Sequence, residues 1–227
     1  MIKKLIALGL IATMMPSFAL ASPSGILGLY KLSDKTDEDA ILLRIENHLD
    51  TYQCKMKLKG PIVAENGEIN LFQPNRFLYL ECPQSMTGMN GKADNFSVFK
   101  DLSNEIVVFK GGLKPGIENQ TNSKIIDRSY ILKVSYYNNH DPAKRQKDLD
   151  TIGDNLHGLK DIYRNQAEIA VQEAFGVDTP DEAVLIYYDT PEAGNRFRSS
   201  NKAILKRIAA FNRDHLSRFI YYVARAE

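Results

Sequence analysis

A change of period divides this chain at Asp141-Pro142. Before that point apolar residues tend to alternate with polar ones. In Thr51–Leu58 (TYQCKMKL), Tyr52, Cys54, Met56 and Leu58 share one face, and Gln53, Lys55 and Lys57 the other. Arg76–Cys82 (RFLYLEC) alternates again, Phe77, Tyr79 and Glu81 against Leu78, Leu80 and Cys82. Period two is the pattern of a half-buried strand. Ile26–Leu32, Ala40–Glu46, Phe96–Phe99, Ile106–Phe109 and Tyr130–Tyr137 read as further short strands. Asn66-Gly67 predicts a tight hairpin turn, because both residues tolerate positive φ. Turn residues also cluster at Asp34–Asp39, Asn90-Gly91 and Gly111-Gly112. Residues 22–140 therefore read as an antiparallel β barrel or sandwich. Two long polar loops, 83–95 and 113–124, interrupt it.

Beyond Asp141-Pro142 the apolar residues fall at Leu149, Ile152, Leu156, Leu159, Tyr163, Ala167, Ala170 and Ala174, in steps of three and four. That stripe predicts a long helix over 143–174, capped by Asp141, with Pro142 first and Gly176 as its stop. Thr179-Pro180-Asp181-Glu182 has the form of a capping box, and Thr190-Pro191 begins the device again. A strand over Ala183–Tyr188 would waste both start signals and stand alone among helices. Two short helices, 180–189 and 191–198, are expected instead. Ile204, Ile208, Phe211, His215, Phe219 and Tyr222 predict a last helix over 201–224. The fold class is then α+β: an N-terminal antiparallel β barrel or sandwich over 22–140, followed by an antiparallel helical domain over 141–227.

The N-terminus has the layout of a secretory signal peptide over residues 1–21. Lys3 and Lys4 precede the apolar run Leu5–Met15, and Ala19 and Ala21 suit cleavage between Ala21 and Ser22. The run is shorter than the roughly 20 residues of a spanning helix. The expected location is periplasmic or secreted, with no membrane span after cleavage. Cys54 and Cys82 are the two cysteines. In an oxidising compartment they are expected to form a disulfide, worth roughly 3–4 kcal/mol in the chain-entropy model.

EAVLIYYDTPEAGNRF resembles the core of the DUF2059 family of exported bacterial proteins. Tyr187, Tyr188, Thr190, Pro191 and Gly194 carry the resemblance, with Ala193 as one extra residue before the glycine. It implies a helical hairpin and export, and no activity.

Charge is uneven. Residues 143–194 hold 5 Lys/Arg and 11 Asp/Glu, a net of 5 − 11 = −6, and residues 195–227 hold 8 and 2, a net of 8 − 2 = +6. Pairing between helices accounts for this split. Arg207, Arg218 and Arg225, on one face of the expected last helix, form a candidate anion-binding face. Export and a formal net charge of +1 argue against a nucleic-acid partner. The nucleophile-elbow, zinc-protease, P-loop and dinucleotide motifs do not occur. His48, His140, His157 and His215 show no ligand spacing. His157 and His215 with Asp154 or Asp161 could hold zinc, but buried core histidines are the simpler expectation, so no metal and no cofactor are assigned. Asp34–Asp39 lacks the glycine and glutamate of a calcium loop. The expected function is a non-enzymatic exported protein that binds a protein or another envelope component, of accessory, inhibitor or immunity type. The alternatives are a small-ligand carrier, its barrel lined by residues such as Phe77, Tyr79 and Phe109, and a cell-envelope hydrolase.

Overall fold

The computed structural model describes residues 23–33, 37–50, 53–67, 69, 71–83, 98–100, 103, 105–114 and 123–227. The signal segment with Ala21 and Ser22, Phe96, and most of the loops 83–95 and 113–124 lie outside these residues. Strands β1 (Ser24–Tyr30), β2 (Lys55–Gly67), β3 (Arg76–Cys82) and β4 (Ile106–Leu113) come from the first half of the chain. Strands β5 (Ser129–Tyr137), β6 (Arg164–Phe175), β7 (Glu182–Tyr188) and β8 (Leu216–Arg225) come from the second. The helices are α1 (Glu38–Leu49), α2 (Pro142–Leu156), α3 (Pro191–Ser200) and α4 (Lys202–His215).

All eight strands close one antiparallel barrel in the order β1-β3-β2-β8-β5-β7-β6-β4. Cut at the β2–β8 and β4–β6 seams, the ring gives two sheets, β4-β1-β3-β2 and β8-β5-β7-β6. Each has the order that a β-α-β-β-α-β unit produces. Their registers match. Leu27 pairs with Tyr79 and Phe109, as Leu132 pairs with Leu185 and Tyr222. The barrel interior is filled by side chains from both halves, among them Leu29, Phe77, Phe109, Tyr130, Leu132, Ile169, Leu185 and Tyr222. Each fully buried Leu or Phe contributes about 1.5–3 kcal/mol. Phe77, Tyr79 and Phe109 do face inward, but into this packed core.

The α+β class and the barrel stand; the separate helical domain does not. Residues 141–227 supply three of the barrel's strands. Asp141 caps α2, accepting from the Lys144 backbone N–H at 2.9 Å, with Pro142 first. The helix nevertheless ends at Leu156, because Gly158 and Asp161 turn through positive φ. Ala167 of the supposed helical stripe then faces the barrel interior, together with Ile169 two residues on. Residues 182–188 form a strand paired on both sides, to β5 and to β6, so the hairpin of helices is not formed. Thr190-Pro191 does start a helix, with Thr190 Oγ1 accepting from the Ala193 N–H. The last helix stops at His215, where β8 begins and sends Ile220, Tyr222 and Ala224 inward.

In the first half, residues 40–46 lie in α1, not in a strand. Asp37 caps it, and Ile41, Leu42, Ile45 and Leu49 form its buried face. Asn66-Gly67 is no hairpin turn: β2 runs through it, pairing Asn66 with Tyr221 and Gly67 with Ile220. The Cys54–Cys82 disulfide is formed. It is buried beneath α1, beside Leu49, Leu78 and Leu80.

The seams need close backbone approach. A Cβ at Gly111 would lie 1.9 Å from the Ala170 carbonyl oxygen across the β4–β6 seam. One at Gly60 would lie 2.0 Å from the Arg225 carbonyl oxygen across the β2–β8 seam. Gly111→Ala is therefore expected to cost at least about 2 kcal/mol, read as a fall of about 4–8 °C in Tm. Thermal unfolding indistinguishable from the parent protein would show that the seam tolerates a side chain.

Candidate functional site

The outer face of the second sheet lies under α2, α3 and α4, and it is graded along the strands. At the Tyr188 end it is apolar. Tyr188, Phe197 and Ile204 are buried there, with Tyr163 edge-on to both rings. Burial pushes the phenol groups of Tyr163 and Tyr188 up to about 12. At the other end the same face turns polar. Alternation along β5 puts Lys133, Ser135 and Tyr137 outward. Glu182 of β7 stands opposite Ser135, and Tyr221 of β8 opposite Lys133. α4 lays Phe211, Asn212 and His215 over them, and α2 adds Arg145 and Asp148.

Tyr137 donates its hydroxyl to Glu182 Oε2 at 2.5 Å, and the Arg145 guanidinium lies 4.0 Å over the Tyr137 ring. Burial, reinforced by the Glu182 charge, raises the Tyr137 pKa far above the phenol range. Asn212 Nδ2 donates to the Tyr221 hydroxyl at 2.9 Å. The Lys133 ammonium lies 5.7 Å from the ring centroids of both Phe211 and Tyr221. Among the described residues no carboxylate reaches it at ion-pair distance. Its pKa is lowered by desolvation, against the opposing field of Glu182. Magnitudes explain the direction. A ring face returns about 0.5–1 kcal/mol, whereas removing an ion from water costs several.

His215, 3% exposed, holds Asp148 Oδ2 through Nε2 at 2.7 Å. Asp148 also accepts from Lys144 at 2.5 Å, and these two partners, Lys144 first, hold its carboxyl below the usual range. Two sealed polar atoms in this layer have no hydrogen-bond partner: Ser135 Oγ and Asn212 Oδ1. Sealed, unpaired polar groups are costly for stability alone. Together with a desolvated lysine and a buried carboxylate they make this layer the candidate functional site.

The first half serves as an internal control. By register, Gly28 stands where the second half has Lys133, Val108 where it has Tyr221, Tyr30 where it has Ser135, and Arg76 where it has Glu182. There the layer under α1 is largely apolar, with Leu78, Leu80 and Val108 against Ile41 and Ile45. Its polar groups are matched: Tyr30 donates to Glu38, and Arg76 grips Glu38 at 2.9 and 2.5 Å.

The sequence-predicted sites fall elsewhere. Arg207 is exposed on α4, while Arg218 and Arg225 lie on β8 at odd spacing and so on opposite faces. They form no common anion-binding face. Arg218 covers the Tyr136 ring at 4.0 Å and pairs with Asp178 at 3.4 Å. Tyr187 points into the barrel, Tyr188 points out, and Gly194 packs against the Tyr188 ring. His157 is exposed at the end of α2, apart from the His215–Asp148 pair, and no group of three or more metal-binding side chains occurs among the described residues. An open pocket of about 450 Å³ beside the start of α3 is lined by Ser123, Lys124, Asp127, Asp189, Thr190, Pro191 and Glu192. Asp127 and Glu192 there are exposed, and Asp189 is already engaged by Ser123 and Arg164, so the covered cluster is the stronger candidate.

No family model and no curated protein matches the chain. Solved structures do. An anthrone oxidase-like protein superposes with a TM-score of 0.54 at 11% identity, covering 91% of this chain and 92% of that one. A protein from Shewanella oneidensis assigned as a Dyp-type peroxidase gives 0.55 at 11%, covering 91% and 93%. A mutant chlorite dismutase from Candidatus Nitrospira defluvii gives 0.55 at 9%, covering 91% and 92%. At such identity the likeness shows the fold. It overturns the non-enzymatic binding reading, which rested on missing motifs: chains of this architecture, matched along nine-tenths of their length, carry the names of enzymes. Haem is the group that a peroxidase-like reading would bring, with a histidine on the iron. The residues here do not fit it. Beneath His215 the sheet presents Lys133, Ser135 and the Tyr137–Glu182 pair rather than an apolar slot, and the Phe211 ring lies 5.0 Å from the imidazole.

The cluster carries a stability cost that substitution should reveal. Lys133→Met is expected to raise stability by about 1 kcal/mol, or about 2–4 °C in Tm. The sign in pH is definite. A lysine whose folded pKa is depressed binds fewer protons folded than unfolded, so its penalty shrinks as pH rises from that depressed value toward 10.5. The gain from Lys133→Met should fall over the same range. A destabilised variant at neutral pH would make Lys133 a structural residue.

Proposed function

We propose that this chain is an exported enzyme of the oxidoreductase class, acting on a small organic molecule at the helix-covered face of its second half. The observation that carries the reading is the cluster Lys133, Glu182, Tyr137, Asn212, Tyr221 and His215, present where the equivalent face of the first half is packed or fully paired. The class is suggested by the oxidase, peroxidase and dismutase names among chains that share the fold. Export is supported by the basic start and apolar run of residues 3–15 and by the disulfide. No described helix is long and apolar enough to cross a membrane.

The roles follow from the contacts. His215, oriented by Asp148 through Nε2, is the general base that removes a substrate proton. Lys133 faces the oxygen-bearing carbon of the substrate, and among the described residues no carboxylate pairs with it at contact distance. The Tyr137–Glu182 pair is the buried proton donor on the same face.

The test is a screen of the purified protein for oxygen uptake and for peroxide-dependent oxidation, over small phenols, hydroquinones and aromatic ketones. Turnover is expected for part of the panel. Lys133→Met and His215→Asn should each lower kcat/KM about 100-fold or more, with unchanged far-ultraviolet circular dichroism. Turnover that survives both substitutions would remove the cluster from the chemistry.

A further inference from the structure

We infer that the side-chain amine of Lys133 is a nucleophile toward small carbonyl compounds, aldehydes or ketones, and holds them as an imine. This deepens the reading above, since it takes the same site and names the class of substrate.

Lys133 projects from the middle of β5 into the layer under α4 and stays partly exposed. Ser135 and Tyr137 share its face of β5, the rings of Phe211 on α4 and Tyr221 on β8 lie 5.7 Å from its ammonium, and Glu182 on β7 is the charge that acts on it. Asn212 and His215 on α4 and Arg145 and Asp148 on α2 belong to the same layer. Both carboxylates have other partners. Asp148 takes Lys144 and His215, and Glu182 takes the Tyr137 hydroxyl. The two arene faces stabilise an ammonium less than desolvation destabilises it. Lys133 therefore yields its proton more readily than a solvated lysine, and the neutral amine is the form that attacks. A lysine among aromatic rings, beside a buried acid, is the arrangement that makes a nucleophilic amine.

The step balances without an oxidant or reductant. The Nζ lone pair adds to the carbonyl carbon and forms the C–N bond, while the carbonyl oxygen takes a proton. Nitrogen then loses a proton, the C–O bond breaks, and water leaves as the C=N bond forms. The leaving oxygen needs a proton donor, and the Tyr137 hydroxyl shares the outward face of β5 with Lys133. It also needs hydrogen-bonding groups not already in use. Ser135 Oγ, between Lys133 and Tyr137 on that face, and Asn212 Oδ1 on the helix above are such groups. An iminium so formed makes the adjacent C–H acidic, which suits the proton removal assigned to His215. The first half has no counterpart, since Gly28 occupies the equivalent position.

The experiment is reductive trapping. The full-length purified protein is incubated with benzaldehyde and sodium cyanoborohydride at pH 7, and each lysine peptide is quantified by mass spectrometry over time. Lys133 should be labelled at least about 10-fold faster than the exposed Lys55 and Lys147, because a desolvated lysine leaves more of its amine unprotonated. The preference should vanish in urea, and Lys133→Arg should remove the fast mass increase. Labelling of Lys133 no faster than that of the exposed lysines overturns the inference, as does a preference that persists in the unfolded chain. The two readings separate. Fast trapping without oxidative turnover keeps the imine and fells the oxidoreductase, whereas turnover that needs Lys133 without trapping does the reverse.

Discussion

The structure depends on closing two sheet edges at once. Each half of the chain makes a four-stranded sheet whose outer strands would expose unpaired backbone groups, a standing invitation to aggregation. Pairing β2 with β8 and β4 with β6 removes all the edges and seals the apolar inner faces. The seams run at backbone contact distance, which is why Gly60 and Gly111 sit there. Charges reinforce the β2–β8 seam from outside. Arg76 of β3 grips Glu38 of α1 and also Glu227 beyond β8, at 3.1 and 2.7 Å, and the Glu227 N–H donates to the Lys59 carbonyl of β2.

Closure decides where chemistry can reside. Large side chains from both halves fill the barrel, so the interior has become a core rather than a carrier's cavity. Each sheet keeps an outer face, and each outer face is roofed by helices. The first half devotes that layer to packing, with the Cys54–Cys82 bond and an apolar α1 interface. The second half places a lysine, a carboxylate, two tyrosines and a histidine in the corresponding layer. Duplication explains how this can be tolerated: stability rests on the shared barrel and on the first half's roof, leaving the second roof freer to hold groups that do not stabilise it.

Much of the first half was legible because its strands alternate. RFLYLEC is β3 from end to end, and the cysteine pair follows from compartment. The starts at Asp141 and Thr190 were legible too, since a capping side chain and a proline act locally. What failed was length. Ala167, Ala170 and Ala174 extend the α2 stripe, and Phe219 and Tyr222 extend that of α4, so period alone continues both helices. The competing term is the barrel edge. Strands β6 and β8 exist because a sheet from the other half offers hydrogen-bonding partners, and no local window contains those partners. The same non-local term turned Ala183–Tyr188 from an expected helix into a strand between two neighbours.

The candidate site was hidden for that reason as well. Lys133 reads as one residue of the expected strand Tyr130–Tyr137, Glu182 as a capping acid, and Tyr221 as a residue inside the expected last helix. Each reading is sound until β8 is a strand. Then Lys133 and Tyr221 become neighbours across the β5–β8 ladder, Glu182 moves opposite Ser135, and α4 folds back over the positions that had seemed open to water. Motif scanning cannot find such a site, because its members come from three strands and two helices and share no short spacing. A physical signal does remain in the sequence. The β5 segment YILKVSYY puts a lysine, a serine and a tyrosine on one face, and a face that mixes charge, hydroxyl and aromatic groups under an amphipathic helix fits neither a core nor a solvated surface. Where local patterning satisfies neither packing nor hydration, a face becomes a candidate for function.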